Sequence, residues 1–480
     1  MVRFTKHAIL TILIMTFTAL LIQYVETMIV PAIPILASFF HTNYDSLSWI
    51  ISAYLISGTI SAAIFGRLAD IYGKKKIFVI LAVVYAVAVS FGGFATTLYQ
   101  FIAIRTVQGL GIGMMPVALA LLNDQVPKED LPLAQGIVSS MFYVGAIFGF
   151  IIGAWITQYY GWQWSYHSAI PVAFGLAVIS AIMLKDKSTR TYEKIDFVGI
   201  ITLGIGVSTL ILGFSEGEYW GWRSWGIIFT FVISIIFLIC FVFIETKVKS
   251  PFISMKLLRI RNVFLSNFTG FFAMAALFFL FYSVVVLLED PAPAGFHLSV
   301  INTSLIMVPP LIVSIAFVPL CARITKTRGP KVTILIGTAT LFISYVGLYL
   351  YRSSPLAIME DGIILGSGLA FIFVGVINIL LVSIPKSESG AATGMNVVFR
   401  NIGSAIAPAI SGVLETMYVT SIVYHTPIGI IVKEFPSHQA YNYIDLIGMA
   451  FLAVSVIFTL LMKNVIYNKN NREKTAESED

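Results

Sequence analysis

The sequence predicts an all-α polytopic membrane protein that crosses the bilayer fourteen times. Hydrophobic residues make up 58% of the chain, and charged residues make up only 11%. A soluble domain cannot bury that much apolar surface in a single core. A helix needs about twenty apolar residues to cross a bilayer core about 30 Å thick, and apolar runs of this length recur between short polar segments.

Fourteen apolar runs are long enough to be transmembrane helices. They lie at residues 8–30, 48–66, 77–96, 101–122, 133–157, 165–184, 196–214, 225–244, 263–288, 300–321, 332–350, 361–384, 392–417 and 442–462. The first run follows Arg3 and Lys6, as in a secretory signal, but it is long and lacks a small-residue cleavage site. We therefore expect it to remain as the first helix.

Charge and cysteine content exclude several classes of partner. The formal charge of +6 does not indicate nucleic-acid binding, because the basic residues are scattered between apolar runs. Membrane lipid headgroups are the expected counterpart.

Cys240 and Cys321 offer neither a disulfide framework nor a zinc-binding spacing. No metal or cofactor is expected, and the sequence contains no phosphate-binding loop for ATP.

Lys and Arg residues are concentrated in alternate loops. Those loops, together with both termini, contain all but five of the 30 Lys and Arg residues. The exceptions are Arg223, Arg352 and Lys433 in the opposite loops, and Arg105 and Arg400 within helices. Because cytoplasmic loops are enriched in positive charge, both termini are predicted to lie in the cytoplasm, with the chain in the cell membrane.

An internal repeat predicts two related helix bundles. Residues 66–75 read GRLADIYGKK and residues 322–331 read ARITKTRGPK, with an arginine, a glycine and a lysine at matching positions. Such repeats are typical of alternating-access transporters. We therefore expect a six-helix bundle in residues 1–186, two inserted helices in 187–250, and a second six-helix bundle with a cytoplasmic tail in 251–480.

Four segments resemble the motifs of a known transporter family. The segment after the second predicted helix carries Gly66, Asp70, Gly73, Lys74 and Lys75 in the spacing of a cytoplasmic signature. The fourth helix contains RTVQGLGIG, the first contains VETMIVPAIP, and the thirteenth contains GAATGMNVVFRNIGSAIAPAISG. In these segments, the chain resembles the major facilitator superfamily and, within it, the fourteen-helix drug:proton antiporters.

The resemblance covers nearly the whole chain and implies export in exchange for protons. It implies that the fourth-helix motif, which includes Arg105 and Gln108, takes part in proton coupling. It also implies that Gly145, Gly149 and Gly153 of the fifth helix correspond to the antiporter motif. Independently, glycines every four residues predict a groove for close helix packing.

Glu26 is a candidate proton-binding residue of the first helix. A carboxylate inside a membrane span costs several kcal/mol unless it is neutralised or faces water. Glu26 shares a face of small and polar residues with Gln23 and Thr27, which predicts a water-filled cavity there. A carboxyl group in such a cavity can bind and release a proton. The alternative is a carboxylate near the outer end of the helix that merely reaches headgroup water.

Arg105 and Gln108 are candidate residues for proton coupling or substrate binding in the fourth helix. Small residues on their face of the fourth helix allow another backbone to approach while the guanidinium points inward. A fixed positive charge beside a cavity opposes a neighbouring proton and promotes its release. The alternative is an arginine that extends from the start of the helix to the outer interface.

Asp70 is predicted to lie in a tight loop between Gly66 and Gly73. There it can cap a helix N-terminus or pair with a neighbouring base. Asp124, at the cytoplasmic end of the fourth helix, is the expected partner of Lys74. Together these contacts would form a latch that is closed in one transporter state and open in the other. The alternative is a solvated loop that only sets the topology by its charge.

Arg400 and Glu415 are the candidate residues of the second bundle. Both lie in the thirteenth helix, about four turns apart, so they are too far from each other to pair directly. An ionisable residue inside a membrane span is a functional candidate by default. For Arg400, a role in packing or gating and a role in substrate contact both stay open.

These patterns predict a monomeric, proton-driven exporter of amphipathic compounds, with lipophilic cations as the expected class. Its expected partners are a small-molecule substrate, protons and membrane lipids. A carrier of a specific metabolite with the same fold is an alternative, and so is a membrane sensor that does not transport. A sensor should carry a signalling domain, whereas the longest polar end is about seventeen residues. An enzyme is not expected, because the six histidines are scattered.

Overall fold

The computed structural model describes residues 6–126, 131–185, 196–248, 251, 253–384, 388–426 and 429–465. Within these residues, fourteen helices are long and apolar enough to cross a membrane, which confirms the predicted fold class. They are labelled α1 to α14 in chain order: His7–Phe40, Tyr44–Tyr72, Lys74–Gly92, Leu98–Gln125, Ala134–Tyr160, Trp162–Met183, Phe197–Ser215, Trp225–Glu245, Arg261–Glu289, Val300–Arg328, Pro330–Tyr351, Pro355–Val382, Ala392–Met417 and His438–Leu461.

Several helices are longer than the apolar runs that predict them. Helix α1 continues to Phe40 and α10 to Arg328, well past the predicted ends of the corresponding runs. The apolar run measures only the part of a helix that matches the hydrocarbon thickness. Hydrogen bonding of the backbone continues the same helix into the polar region on either side.

Proline residues interrupt α1 shortly after Glu26. The regular α-helix ends at Thr27, a short 3₁₀ turn spans Val30–Ala32, and α-helix resumes at Ile33. Pro31 and Pro34 carry no backbone N–H, so neither can donate to the carbonyl four residues earlier. The local sequence therefore dictates a break in the first helix, directly beyond its carboxylate.

Two further helices contain non-α turns. In α4, a 3₁₀ stretch covers Leu110–Gly113, because Pro116 cannot donate to the carbonyl of Ile112. In α5, a π-helical turn covers Gly149–Gly153. Such turns locally change which residues face a neighbouring helix.

A β-hairpin connects α13 to α14. Strands β1 (Val419–Thr426) and β2 (Gly429–Pro436) are antiparallel, and Val423 pairs with Val432. The predicted all-α fold class did not include this hairpin, which lies between two predicted membrane-spanning runs. The segment is rich in β-branched residues, which favour strands and are the signal that hydropathy does not detect.

The chain divides into two compact units. The first comprises Met1–Phe252, Leu277–Val308 and Ser404–Ile444. The second comprises Ile253–Ala276, Pro309–Gly403 and Asp445–Asp480. The division of the chain into two six-helix bundles and two inserted helices stays a prediction.

The repeated sequence segments adopt matching backbone conformations. Gly73 separates α2 from α3 with φ 102°, and Gly329 separates α10 from α11 with φ 90°. A left-handed residue between two helices is strained for any residue with a Cβ. This geometry explains why glycine stands at both matching positions of the repeat.

The glycines of α5 form a groove that is occupied by α1. A Cβ at Gly145 would lie 2.5 Å from the carbonyl oxygen of Leu20, and a Cβ at Gly149 would lie 2.0 Å from Thr27 Oγ1. The Thr27 hydroxyl donates a hydrogen bond to the Ala146 carbonyl at 3.2 Å. The predicted close packing is thus present, and its partner is the helix that carries Glu26.

We expect Gly149→Ala to destabilise the protein by about 1–3 kcal/mol, because the added methyl group would overlap α1. Thermal unfolding in detergent measures the effect, with Gly175→Ala in α6 as the control, since no atom lies within 4 Å of a Cβ there. Adding Thr27→Ala should restore only part of the loss, because the carbonyl of Tyr24 also lies 2.8 Å from the new Cβ. Equal unfolding temperatures for Gly149→Ala and the control would show that the groove is not tightly packed.

Candidate functional site

Glu26 lies in α1, one residue before the regular α-helix ends at Thr27. Fourteen residues separate it from the end of the helix at Phe40, which corresponds to about 21 Å along the axis. The cavity and the headgroup alternative for Glu26 both stay predictions. Its half-buried side chain interacts with Gln23, one turn earlier, and with the charge of Arg105.

Arg105 is buried in α4, with only 1% of its surface exposed. Its Nε donates a hydrogen bond to the Ile50 carbonyl of α2 at 3.2 Å. A terminal nitrogen donates to the Val25 carbonyl of α1 at 3.5 Å. The guanidinium also lies over the ring of Tyr54, 4.2 Å from the ring centroid. Arg105 does not extend to the outer interface, so that alternative is wrong.

Gln108 completes the same network from the next turn of α4. Its Oε1 accepts a hydrogen bond from Arg105 at 3.2 Å, and its Nε2 donates to the Ala88 carbonyl of α3 at 3.1 Å. Gln108 is fully buried, so its amide needs both partners. Arg105 and Gln108 together fasten α4 to α1, α2 and α3.

Three buried tyrosines surround the guanidinium: Tyr54, Tyr85 and Tyr166. Tyr85 fits because α4 has Gly111 opposite it, where a Cβ would lie 2.3 Å from the tyrosine ring. The sequence reasoning missed Tyr85. The available signal was a tyrosine inside the third apolar run, but tyrosines are common in this chain and none stands out by its spacing.

The site holds a positive charge without a direct ion pair. Among the described residues, no carboxylate lies within 4.0 Å of Arg105. Because Arg105 binds the carbonyl of Val25, its charge is held beside the residue that follows, Glu26. Protonation of Glu26 therefore changes the electrostatic field at a guanidinium that is hydrogen-bonded to α1 and α2.

The segment that precedes Gly73 is helical, which corrects the predicted tight loop. Residues 66–72 form the last turns of α2, and only Gly73 separates this helix from α3. Asp70 thus lies on a helix, and the start of α3 has no side-chain cap. The loop prediction was wrong because a single left-handed glycine is enough to turn the chain, and the residues before it favour a helix.

Lys74 and Asp124 form an ion pair in the described structure. Lys74 Nζ lies 2.7 Å from Asp124 Oδ2 and 2.8 Å from Oδ1. The two side chains are 12% and 22% exposed, so solvent screens the pair only in part. Lys74 occupies the N-terminus of α3, where the helix dipole disfavours a positive charge. Asp124 compensates this repulsion and fastens the start of α3 to the end of α4.

In the second unit, Arg400 is half-buried in α13. Its guanidinium lies over the ring of Phe373 at 4.7 Å, and Gly270 of α9 leaves room for its side chain, with 3.1 Å between a Cβ there and Arg400 Cγ. One turn earlier, Asn396 donates a hydrogen bond to Asn267 of α9 at 3.1 Å. These contacts describe a packing centre between α9 and α13.

A second buried ion pair was not anticipated from the sequence. Arg352, after α11, pairs with Asp445 of α14, and their side chains are only 10% and 9% exposed. Arg352 was assigned to a loop and Asp445 to the start of an apolar run, and nothing in their spacing links them.

Among the described residues, no group of three or more His, Cys, Asp or Glu side chains is placed to hold a metal ion.

Comparison with known proteins identifies the family. The family model described as Major Facilitator Superfamily matches residues 15–408. The chain belongs to the Major Facilitator Superfamily. Membership makes it a multi-pass transporter of small molecules, which excludes the enzyme class.

Curated relatives within the superfamily align over most of the chain. The Multidrug transporter protein MdtP of Bacillus subtilis is 25% identical, and the alignment covers 90% of this chain and 89% of the relative. The Tetracenomycin C resistance and export protein of Streptomyces glaucescens is 26% identical, with 86% and 77% covered. The Multidrug export protein EmrB of Haemophilus influenzae is 24% identical, with 82% and 78% covered.

Solved structures of the superfamily share the fold at low sequence identity. An auto-inhibited peptide transporter of the POT family has a TM-score of 0.67 at 11% identity, and the match covers 96% of this chain and 98% of that one. The xylose transporter XylE from E. coli, in a partially occluded inward open conformation, has a TM-score of 0.62 at 12% identity, with 94% and 97% covered.

We expect Arg105→Lys to lower the thermal stability of this transporter. An ammonium group lacks the planar fork that reaches the Ile50 and Val25 carbonyls and Gln108 together, and it would leave buried acceptors unpaired. The expected loss is about 2–4 kcal/mol, measured by thermal unfolding in detergent. The exposed Arg223 gives the matched control, Arg223→Lys. A loss no larger than that of the control would contradict the network.

We expect Asp124→Asn to destabilise the junction of α3 and α4, because Lys74 would keep its charge at a helix N-terminus without a partner. Lys76→Met, which removes an exposed charge two residues away, should have little effect. The double exchange Lys74→Asp with Asp124→Lys should recover part of the stability lost by either single change. Additive losses in this double-mutant cycle would mean that the two residues do not interact.

Proposed function

We propose that this chain is a proton-driven antiporter that exports amphipathic compounds, chiefly lipophilic cations, across the cytoplasmic membrane. The observation that carries the proposal is a carboxyl group, Glu26, inside a membrane span and beside the buried charge of Arg105. The names of the relatives support export and the breadth of substrates, since MdtP and EmrB are named as multidrug proteins.

The exchange follows from the charge on one carboxyl group. An ionised Glu26 attracts both a cationic substrate and the guanidinium of Arg105, whereas the protonated form attracts neither. A proton and a cation therefore compete for the same group. Gln23, which interacts with Glu26, is proposed to orient the carboxyl group towards the cavity. Binding of one ligand thus promotes release of the other, which is the thermodynamic requirement of antiport.

Helix α1 is suited to report the state of Glu26 to the rest of the bundle. The break beyond Thr27 gives α1 a point at which it can bend. The glycine groove of α5 contacts α1 without large side chains between the two helices. We propose that α1 shifts along Gly145, Gly149 and Gly153 when the proton is exchanged. The pair of Lys74 and Asp124, with Asp70, Gly66 and Gly73 nearby, then serves as the latch of one state in an alternating-access cycle.

The proton gradient supplies enough energy for useful export. One charge moved through 100 mV is worth about 2.3 kcal/mol. For a neutral substrate exchanged for one proton, this corresponds to roughly fiftyfold accumulation before any pH gradient is added. A monovalent cation exchanged for one proton moves no net charge, so the pH gradient alone drives its export. We propose that the transporter works as a monomer among membrane lipids, with both termini in the cytoplasm, which places the basic loops on the inner side.

The test uses purified protein in liposomes with an imposed pH gradient. Proton flux is recorded with a pH-sensitive dye after addition of tetraphenylphosphonium, ethidium or neutral chloramphenicol. Wild type is expected to give substrate-triggered flux with the cations, and Glu26→Gln is expected to lose at least nine-tenths of it, or about tenfold. Glu434→Gln, the same change on the exposed strand β2, should retain the flux.

Flux that persists in Glu26→Gln would place proton coupling at another residue. A protein that moves none of these compounds, but remains folded by thermal unfolding, would be a carrier of a specific metabolite instead. If the compound moves in the same direction as the proton instead of the opposite direction, the protein takes the compound up, and the proposed direction of transport is wrong.

A further inference from the structure

Three buried carboxyl side chains lie at or next to helix ends in the first unit, on the side of the membrane opposite the N-terminus. Asp45 lies at the start of α2, Asp290 directly follows α9, and Glu415 lies near the end of α13. Each has at most 5% of its surface exposed. None of the three takes part in the proposed exchange at Glu26.

Glu415 lacks the partners that a buried carboxylate needs. Only 1% of its surface is exposed, and neither of its oxygens has a hydrogen-bond partner among the described residues. Its charge interacts with that of Asp290, which has an unpartnered oxygen of its own, Oδ2. An ionised carboxylate in this setting would cost several kcal/mol, and a like charge nearby raises the cost.

The surrounding groups supply one donor for the two carboxyl groups. The Tyr44 hydroxyl donates a hydrogen bond to Asp290 Oδ1 at 2.7 Å. The Tyr282 hydroxyl donates to the backbone carbonyl of Tyr44 and is therefore not available to either carboxyl group. The other titratable groups that act on this cluster are acidic or phenolic: Asp45, Glu216, Glu289 and Tyr441. No Lys, Arg or His of the described chain forms an ion pair with Asp290 or Glu415.

Tight packing closes this region to water. A Cβ at Gly412 would lie 2.7 Å from Asp45 Cα, so α13 packs directly on the start of α2. The segment after α9 folds back over the helix end, and a Cβ at Gly295 would lie 3.0 Å from Asp290 Cβ. The described residues contain no group of three ligands for a metal ion. A proton is the cation that we assign to this cluster.

We propose that Asp290 and Glu415 form a second proton-binding site, at the ends of α9 and α13 opposite the N-terminal side. The site binds its proton in the folded protein and does not depend on the exchange at Glu26. Glu415 has no donor and so needs the proton, whereas Asp290 is stabilised by Tyr44. Because the pair interacts, its protons titrate as a property of both groups.

The effect of pH on stability follows from Asp290, which lies outside the membrane span. Burial raises the pKa of Asp290 from 3.8 to about 7, and the hydrogen bond from Tyr44 partly offsets this rise. Between about pH 4 and pH 7, the folded protein therefore holds a proton that the unfolded chain releases. Stability must fall as the pH rises through this window.

The first measurement is the unfolding temperature of the full chain in detergent from pH 5 to pH 8.5. The temperature for wild type should fall across this range. Glu415→Gln and Asp290→Asn replace an acid with a neutral isostere, so each should unfold on the order of 3 °C above wild type at pH 8.5 and give a flatter profile. Glu434→Gln on the exposed hairpin is the control and should follow wild type.

Infrared difference spectra between pH 5 and pH 8.5 identify the group that carries the proton. A protonated carboxyl band that wild type loses between these pH values should be absent in Asp290→Asn, altered in Glu415→Gln because the two groups titrate together, and unchanged in Glu26→Gln. This comparison separates the second site from the proposed exchange, since Glu26→Gln should abolish the exchange and leave the second site intact. If Asp290→Asn and Glu415→Gln both retain the wild-type band and the wild-type pH profile, the proposal is wrong. Restoration of wild-type stability at pH 8.5 by sodium, but not by choline, would show a metal-ion site instead and overturn it.

Discussion

A guanidinium inside a membrane span must be surrounded by acceptors, and the N-terminal helices are arranged to meet that requirement for Arg105. Its partners are backbone carbonyls of α1 and α2, the Gln108 side chain and the face of a tyrosine. A glycine of α4 allows this helix to approach α2 closely, since a Cβ at Gly109 would lie 2.3 Å from the carbonyl of Tyr54. The desolvation cost of one charge thus constrains the placement of several helices.

The same constraint explains why the carboxylate of Glu26 sits where it does. Arg105 binds the carbonyl of the preceding residue, Val25, and so remains near the carboxyl group without forming an ion pair. A direct pair would hold a proton-binding group in its ionised form. A guanidinium that is not in direct contact favours the ionised form less strongly, which suits the proton exchange that we propose for Glu26.

The sequence alone determined the class of protein, the number of helices and most of the candidate residues. Hydrophobic runs are set by the thickness of the bilayer, so composition suffices to count the spans. Glu26, Arg105 and Gln108 stood out because polar groups in such runs are costly and therefore rare. The glycines of α5 stood out through their spacing, and they do form a packing groove. The hairpin and the helical end of α2 were missed, because hydropathy does not report on either.

Only the tertiary structure decided which groups meet. No spacing in the chain connects Asp290 with Glu415 or Arg352 with Asp445, because their partners lie more than ninety positions apart along the chain. Two side chains can interact only if their helices pack against each other. Small residues allow such packing, but their pattern in the sequence does not show which helix the partner is. The sequence therefore determined the helices and the costly charges within them. The packing of the helices determined how each charge is compensated, because compensation depends on the distance between groups in space and not on their order along the chain.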